Sequence, residues 1–375
     1  MTLRTAVVGG GTVSEVHLSG LSRNPRTELA AICDLDEEIA REKADAYDVE
    51  AYTDLDELLA NEALDWAHVC TPVQTHVEVA KTLIDAGVPV QIEKPITETY
   101  EEFEELAAFA DRHGVTVSEK HNHDFDPVVR SAVKRARDGD LGDVRGVDVI
   151  YTGSSRPDDQ NRGAWSFDLA GGEFEEGLPH PIYLTLHAGG YPRSEGDISA
   201  TTALFDEYDR DFAYDGAQLQ YVTDDDVLCT TKMLGATRPV RVLLIHGEDA
   251  SVTADLISQT LVVHDRNYKG SAVGRVLNNV DQAVDRVTGT VANARAVLKR
   301  ARNDDWDTLR LLNAHYYQNH AESKALEAND PSRMPVPLAE SRWTIRLMEE
   351  IRNAAERSEV DPHTVEPTIA HGDDE

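Results

Sequence analysis

The stretch Leu3-Arg4-Thr5-Ala6-Val7-Val8-Gly9-Gly10-Gly11-Thr12-Val13-Ser14 decides the fold. A short apolar run ends directly in a glycine turn, and the turn opens a segment through Leu21 that can be helical. In this G-x-G-x-x-S pattern Gly9 permits the tight turn and Gly11 lets backbone approach a pyrophosphate. Ser14, in place of the usual Gly or Ala, is small enough for close helix packing. A second apolar run, Thr27 to Cys33, ends in Asp34, 23 residues beyond Gly11. A carboxylate there accepts hydrogen bonds from ribose hydroxyls and repels a 2′-phosphate, and Asp36 adds to the repulsion. NAD is therefore the expected cofactor, with NADP the alternative.

The same alternation of strand and helix patterns continues outward from this unit. Helical stretches are expected at Glu37 to Tyr47 and Leu55 to Ala60, and a strand at Asp65 to Cys70 closed by Thr71-Pro72. Thr75 is in position to cap a helix beginning near His76. The next strand, Val88-Pro-Val-Gln-Ile-Glu-Lys-Pro95, delivers Lys94 at its carboxyl end, where doubly wound sheets bind ligands. A helix from about Glu101 with Thr99 and Glu102 in capping-box spacing, a strand at Val115 to Ser118 and a helix from Asp126-Pro127 to Gly139 complete a parallel βα series.

From Val144 the strands lengthen, alternate and are joined by short polar turns such as Thr223-Asp224-Asp225-Asp226, the pattern of a mostly antiparallel sheet. The fold class expected is an α/β Rossmann domain with a parallel sheet, residues 1–122, followed by an α+β domain with a large open, mostly antiparallel sheet, residues 123–359. Residues 360–375 read as a solvated acidic tail. Between the first two strands of the second domain, Glu176 and His180 stand four apart. On one helix they would face the same way, the carboxylate orienting an imidazole that transfers a proton.

Composition excludes several classes of function. The net charge of -33, with only nine lysines among 375 residues, disfavours binding to nucleic acid phosphates. Acidity spread along the chain suits a protein kept soluble in molar salt, which points to a halophilic source. No apolar run approaches 18 residues and no cleavage-site pattern follows the start, so the expectation is a soluble, cytoplasmic protein. The three scattered cysteines, Cys33, Cys70 and Cys229, suggest neither a disulfide framework nor a cysteine zinc site.

Taken in order, these motifs resemble the Gfo/Idh/MocA oxidoreductase family, the glucose-fructose oxidoreductase and inositol dehydrogenase group. The resemblance rests on the glycine turn, Asp34, Thr71-Pro72 with His76, Glu93-Lys94-Pro95, Asp138-Gly139-Asp140-Leu141-Gly142, the Gly171-Gly172 to His180 segment and a closing helix at Leu338 to Glu356. It implies hydride transfer between NAD(P) and a sugar, polyol or sugar-nucleotide hydroxyl. Lys94 would lie by the nicotinamide ribose and the reacting hydroxyl, and His180 would act as acid and base with Glu176 four residues before it. Gly9, Gly11, Thr12, Val13, Asp34, Thr71, Pro72, His76, Glu93 and Lys94 are the residues expected at the cofactor. Asn122, His123, Trp165 and Tyr183 are expected at the substrate. Glu176 and Tyr183 both stand where the family commonly has Asp, which bears on the shape of the pocket. The competing readings are a non-catalytic NAD-binding scaffold and an NAD-dependent glycosidase.

His121-Asn122-His123-Asp124 places its two histidines on opposite sides of an extended chain, and no metal is expected. Residues 266–303 are unlike the rest, with eight basic residues against Asp281 and Asp285, a net of +6. Apolar residues there recur at spacings of three and four from Val273 to Leu298, predicting a basic amphipathic helix, or two broken at Gly289. Such an added helix suits packing on its own domain or a sister subunit, a peripheral membrane contact or an acidic partner. A homo-oligomer through the second-domain sheet is expected, with a small-molecule substrate and no nucleic acid partner.

Overall fold

The glycine turn joins β1 (Leu3–Val8) to α1 (Ser14–Arg23), and β2 (Thr27–Cys33), α2 (Glu37–Tyr47), β3 (Glu50–Tyr52) and α3 (Leu55–Asn61) follow. Then come β4 (Trp66–Val69), α4 (His76–Asp85), β5 (Val90–Ile92), α5 (Tyr100–His113) and β6 (Val117–Glu119). This is a computed structural model that describes residues 2–265, 271–303 and 305–360; Arg266 and Lys269 of the basic segment and the tail beyond Val360 lie outside the described residues. The six strands form one parallel sheet in the order β3-β2-β1-β4-β5-β6. Ala67, Val69, Val90 and Ile92 are fully buried, as expected of central strands covered on both faces. The order reverses between β1 and β4, so their carboxyl ends open a crevice at the switch point.

Local chemistry fixes the boundaries. Thr99 and Glu102 form the capping box that starts α5, and Gly114 ends it with φ 64°. Thr75 makes no side-chain cap on α4; its hydroxyl donates to Pro72 O at 2.8 Å instead. The three-residue edge strand β3 has too short an apolar pattern to be anticipated.

The second half comprises α6 (Pro127–Arg137), β7 (Val144–Thr152), α7 (Gly172–Glu176), α8 (Pro179–Gly189), β8 (Ser199–Ala203), β9 (Gly216–Val222), β10 (Leu228–Leu234), β11 (Val240–Gly247), β12 (Ser251–Asp255) and β13 (Thr260–His264). After these come α9 (Ala272–Arg302), α10 (Trp306–Leu312), α11 (Ala314–Glu327) and α12 (Leu338–Val360). Seven strands pair in the order β13-β12-β11-β7-β10-β9-β8, antiparallel except β7 with β10. The inner face, with Val147, Val149, Leu219, Leu243 and Ile245, is buried and packs against α8.

The basic segment is one unbroken helix through Gly289. A Cβ at Gly289 would meet Thr260 at 3.1 Å, so the glycine lets α9 lie close on β13. Asn313 separates α10 from α11 by capping the latter, its side-chain Oδ1 accepting from His315 N and Tyr316 N. Both α11 and α12 return to the first sheet's helices. Ser19 and Tyr316 bond through their hydroxyls at 2.6 Å, and a Cβ at Gly20 would strike Asn319 at 2.6 Å.

Candidate active site

Two cavities meet at the carboxyl end of β5. The first, about 660 Å³, runs along the switch-point crevice and is lined by Gly9, Gly11, Thr12, Val13, Asp34, Thr71, Pro72, His76, Glu93 and Lys94. The second, about 570 Å³, lies under the second sheet and includes Asn122, His123, Tyr151, His180, Arg241 and His315. Thr12, Val13, Glu93, Lys94, Arg162 and Glu176 line both.

The residues of the first cavity fit an adenine dinucleotide. Gly9 has φ 98°, and a Cβ on it would lie 2.6 Å from the Cys70 carbonyl carbon, so no other residue is accommodated. Gly11 is different: a Cβ there meets nothing within 4 Å, because its free side faces the crevice. Ser14 is fully buried behind the turn. The Thr71 hydroxyl is buried without a hydrogen-bond partner, an acceptor and donor left for a ligand. Asp34 accepts from Gly10 N at 2.6 Å and Asp36 N at 2.8 Å, so it shapes the glycine turn as well as lining the cavity. Each of its oxygens retains a lone pair for a ribose hydroxyl. His76 is buried with its ring nitrogens against Pro95 O at 3.0 Å and Thr71 O at 2.9 Å. Its ring ties the Thr71-Pro72 loop to the Lys94-Pro95 turn.

Lys94 is buried, with its ammonium on Glu176 O at 2.9 Å and on the Glu176 carboxylate. The expected Glu176–His180 pair does not form. Glu176 ends α7, Gly177 and Leu178 turn the chain, and Pro179 starts α8, so the two side chains belong to different helices. The carboxylate goes to Lys94, with Arg162 Nε 3.6 Å from its other oxygen. His180 instead bonds through Nδ1 to the Tyr183 hydroxyl at 2.8 Å. That hydroxyl donates to Asn122 Oδ1 at 3.2 Å and accepts from His123 N at 3.1 Å. With its proton given to Asn122, the phenol accepts from His180 Nδ1–H, which leaves the lone pair on Nε2. Burial, and then the positive charge of Lys94, hold His180 well below the ordinary histidine range, so the ring is neutral at pH 7.

Of the four residues expected at the substrate, Asn122 and His123 line the second cavity, while Tyr183 stands behind His180 as its hydrogen-bond partner. Trp165 lines the first cavity, donating from Nε1 to Arg162 O at 2.8 Å.

Several participants had no local sequence signal. Glu93 Oε1 bonds His17 Nε2 at 2.6 Å, and His17 Nδ1 lies 2.7 Å from His68 Nδ1. Burial opposes the ionised Glu93, but the bond from His17 holds its carboxyl below the usual range. Lys120, fully buried beside this group, is lowered to about 8 by burial. Its ammonium bonds Asn319 and reaches His315 O on α11 at 3.3 Å. His121 faces Glu119 Oε2 at 2.9 Å and Glu340 Oε1 at 2.8 Å; burial opposes its charged form, but the charge of Glu119, the Asp124 carboxylate and the bonds to Glu119 and Glu340 raise it well above the histidine range. The ring is therefore an imidazolium between two carboxylates.

Residues 3–121 match the Gfo/Idh/MocA family model, described as oxidoreductase family, NAD-binding Rossmann fold. Among curated proteins, the scyllo-inositol 2-dehydrogenase (NADP+) IolW of Bacillus subtilis (strain 168) is 31% identical over 209 residues, 56% of this chain and 57% of that protein. Inositol 2-dehydrogenase of Rhizobium meliloti (strain 1021) is 29% identical over 157 residues, 42% of this chain and 47% of the other. The chain thus spans about half the length of the curated relatives it matches. The fold extends further: UDP-N-acetylglucosamine 3-dehydrogenase GnnA of Acidithiobacillus ferrooxidans superposes with a TM-score of 0.70 at 20% identity, covering 95% of this chain and 99% of that one.

Proposed function

We propose that the chain is an oxidoreductase that transfers a hydride between NAD and the hydroxyl-bearing carbon of a sugar, polyol or sugar nucleotide. The observation that carries this reading is Lys94, on the wall common to both cavities and beside Glu176, with the neutral His180 lining the second cavity. His180 Nε2 takes the hydroxyl proton, and the Tyr183–Asn122 pair holds the ring in the tautomer that can accept it. Lys94 stabilises the alkoxide as the proton leaves, and Glu176 fixes the direction of the ammonium. The nicotinamide, when bound, supplies the hydride acceptor at C4.

NAD is the proposed cofactor because the Asp34 carboxylate lies where a 2′-phosphate would be repelled. A second-copy contact through the outer face of the seven-stranded sheet is part of the proposal, since Ile150 and Leu228 are exposed there. The excess of carboxylates supports a protein working in molar salt inside the cell. No helix among the described residues is long and apolar enough to cross a membrane. The test is fluorescence titration with NADH and NADPH in molar KCl, on wild type and Asp34→Ala, followed by an NAD-linked screen of sugars and polyols. Tight NADH binding weakened by the substitution is expected; preference for NADPH, or binding of neither, would reject the assignment.

A further inference from the structure

We infer that the second cavity takes a substrate carrying an oxyanion, a carboxylate or phosphate on the sugar skeleton, and that Arg241 binds it. This rests on the hydride-transfer reading of the same site. Along β11, Arg241, Leu243 and Ile245 project to one face, and Leu243 and Ile245 are fully buried. Arg241 therefore sits on the inner, helix-covered face of the sheet, opposite Tyr151 on β7, where it lines the cavity. A guanidinium placed there is costly unless a counter-ion accompanies it.

None does among the described residues. The Arg241 side chain makes no hydrogen bond and no ion pair with the described residues; its Nε is buried without a partner, and its Cζ lies 4.4 Å over the Tyr151 ring. Carboxylates are abundant, 69 against 36 basic residues, and Arg145, Arg193, Arg346 and Arg352 are all paired with them. The three carboxylates of this cavity are already committed: Glu93 to His17, Glu173 to Asn161 and Glu176 to Lys94. The uncommitted fork of Arg241 faces the cavity, and its geometry matches a carboxylate or phosphate.

The test is a set of binding isotherms on the NADH-loaded protein at fixed ionic strength, with glucose, glucuronate and glucose 6-phosphate, followed by thermal shift. An acidic sugar binding at least tenfold tighter than glucose is expected, and the better of the two acids tells carboxylate from phosphate. Arg241→Gln should reduce that acid to the level of glucose without changing NADH affinity. The inference is overturned if neutral and acidic sugars act alike, including not at all, or if the preference survives in the variant. Failure of NADH to bind would instead remove the reading on which it rests.

A separate observation concerns α9, and it does not depend on the chemistry of the site. This helix docks on β13 by its polar line: Asp285 accepts from Val263 N at 3.0 Å, and Asn293 donates to Ser258 O at 2.6 Å. These bonds cover the sheet's edge strand. The apolar line faces away, with Val273, Leu277, Val280, Val284, Val287, Val291 and Leu298 each 43–67% exposed. With Ala294 the steps are four, three, four, three, four, three and four, the seam of a coiled coil rather than the broader stripe of a core helix.

We propose that the occupant is α9 of a second copy, running antiparallel. The seam is self-complementary in that direction, pairing Leu277 with Ala294, Val284 with Val287, and Val273 with Leu298 of the other copy. Charge agrees: in the first half Arg275 and Arg286 offset Asp281 and Asp285, while Arg295, Lys299, Arg300 and Arg302 crowd the end, so a parallel pair would bring two basic ends together and an antiparallel one sets each against a neutral half. The full-length Leu277→Cys/Ala294→Cys variant should form an intermolecular disulfide on mild oxidation, and neither single variant should, the native cysteines being buried. Val284→Glu/Val287→Glu should halve the mass seen by light scattering. Cross-linking of Ala294→Cys alone would indicate a parallel pair. An unchanged mass, or binding of wild type to phosphatidylserine vesicles that the Glu pair abolishes without changing the mass, would overturn the proposal.

Discussion

Replacing Lys94 by Met removes one ammonium from a buried pair and so perturbs rate, pH dependence and stability together. The lost charge would otherwise stabilise the alkoxide, a contribution comparable to an oxyanion-hole donor, so turnover should fall about 10²- to 10³-fold, equivalent to roughly 3–4 kcal/mol. Lys94 is also the strongest of the charges holding His180 low, after burial itself. Its removal should therefore move the acid limb of the pH–rate profile to higher pH. Glu176 is left buried with only Arg162 nearby, and breaking such a pair costs about 3–5 kcal/mol when the survivor stays dry; the adjoining cavity admits water and puts the cost at or below the lower end. The double variant Lys94→Met/Glu176→Gln separates the effects, recovering stability but not rate. Steady-state kinetics from pH 5 to 9 with matched denaturation curves provide the assay. Turnover within tenfold of wild type together with an unmoved acid limb would refute the reasoning.

The glycine turn offers a paired test: Gly9→Ala should lose folded protein, its Cβ being driven into the Cys70 backbone, whereas Gly11→Ala should keep its unfolding midpoint and lose NADH affinity in titration. Tyr183→Phe should lower kcat by roughly 10²-fold, the low end of general acid–base contributions, and flatten the pH dependence assigned to His180, with little change in KM. Acid should destabilise the fold through His17, His68, His76 and His315, all lowered by burial. Their stabilisation is present above the unfolded histidine value and lost as pH falls below it, by up to about 1.4 kcal/mol per unit for each. The raised His121 and His187 bind protons in both states below that value and do not offset the loss. Urea midpoints at pH 7.5, 6.5 and 5.5 should therefore drop mainly over the last step, and a flat series would be inconsistent with buried neutral rings.

The parallel sheet was legible because each of its central strands carries its own apolar run and its own terminator, and because Asp34 and Lys94 end strands whose order the βα alternation sets. Glu176 and His180 do not share a helix despite their spacing of four; Pro179 is the signal against it, since proline at the first helical position marks a new start. Arg241 was illegible for another reason. In Val240-Arg-Val-Leu-Leu-Ile245 the apolar pattern runs on both faces, and only the packing of α8 on the sheet decides that the arginine points inward. The wall behind Glu93 lies furthest from any sequence pattern, because Lys120 on the first half is satisfied by α11, almost two hundred residues later. Glu322 on that helix, raised to about 7 by burial, accepts from Gln91 of β5 and from Gln318, whose amide also reaches Glu119 O. The amino-terminal strands thus carry Lys94 to the cavity wall, but the polar layer beneath them is closed by helices from the other end of the chain. A nucleotide-binding half cut before α11 would leave Lys120 buried against nothing or open to water, and its folding is accordingly coupled to the second domain.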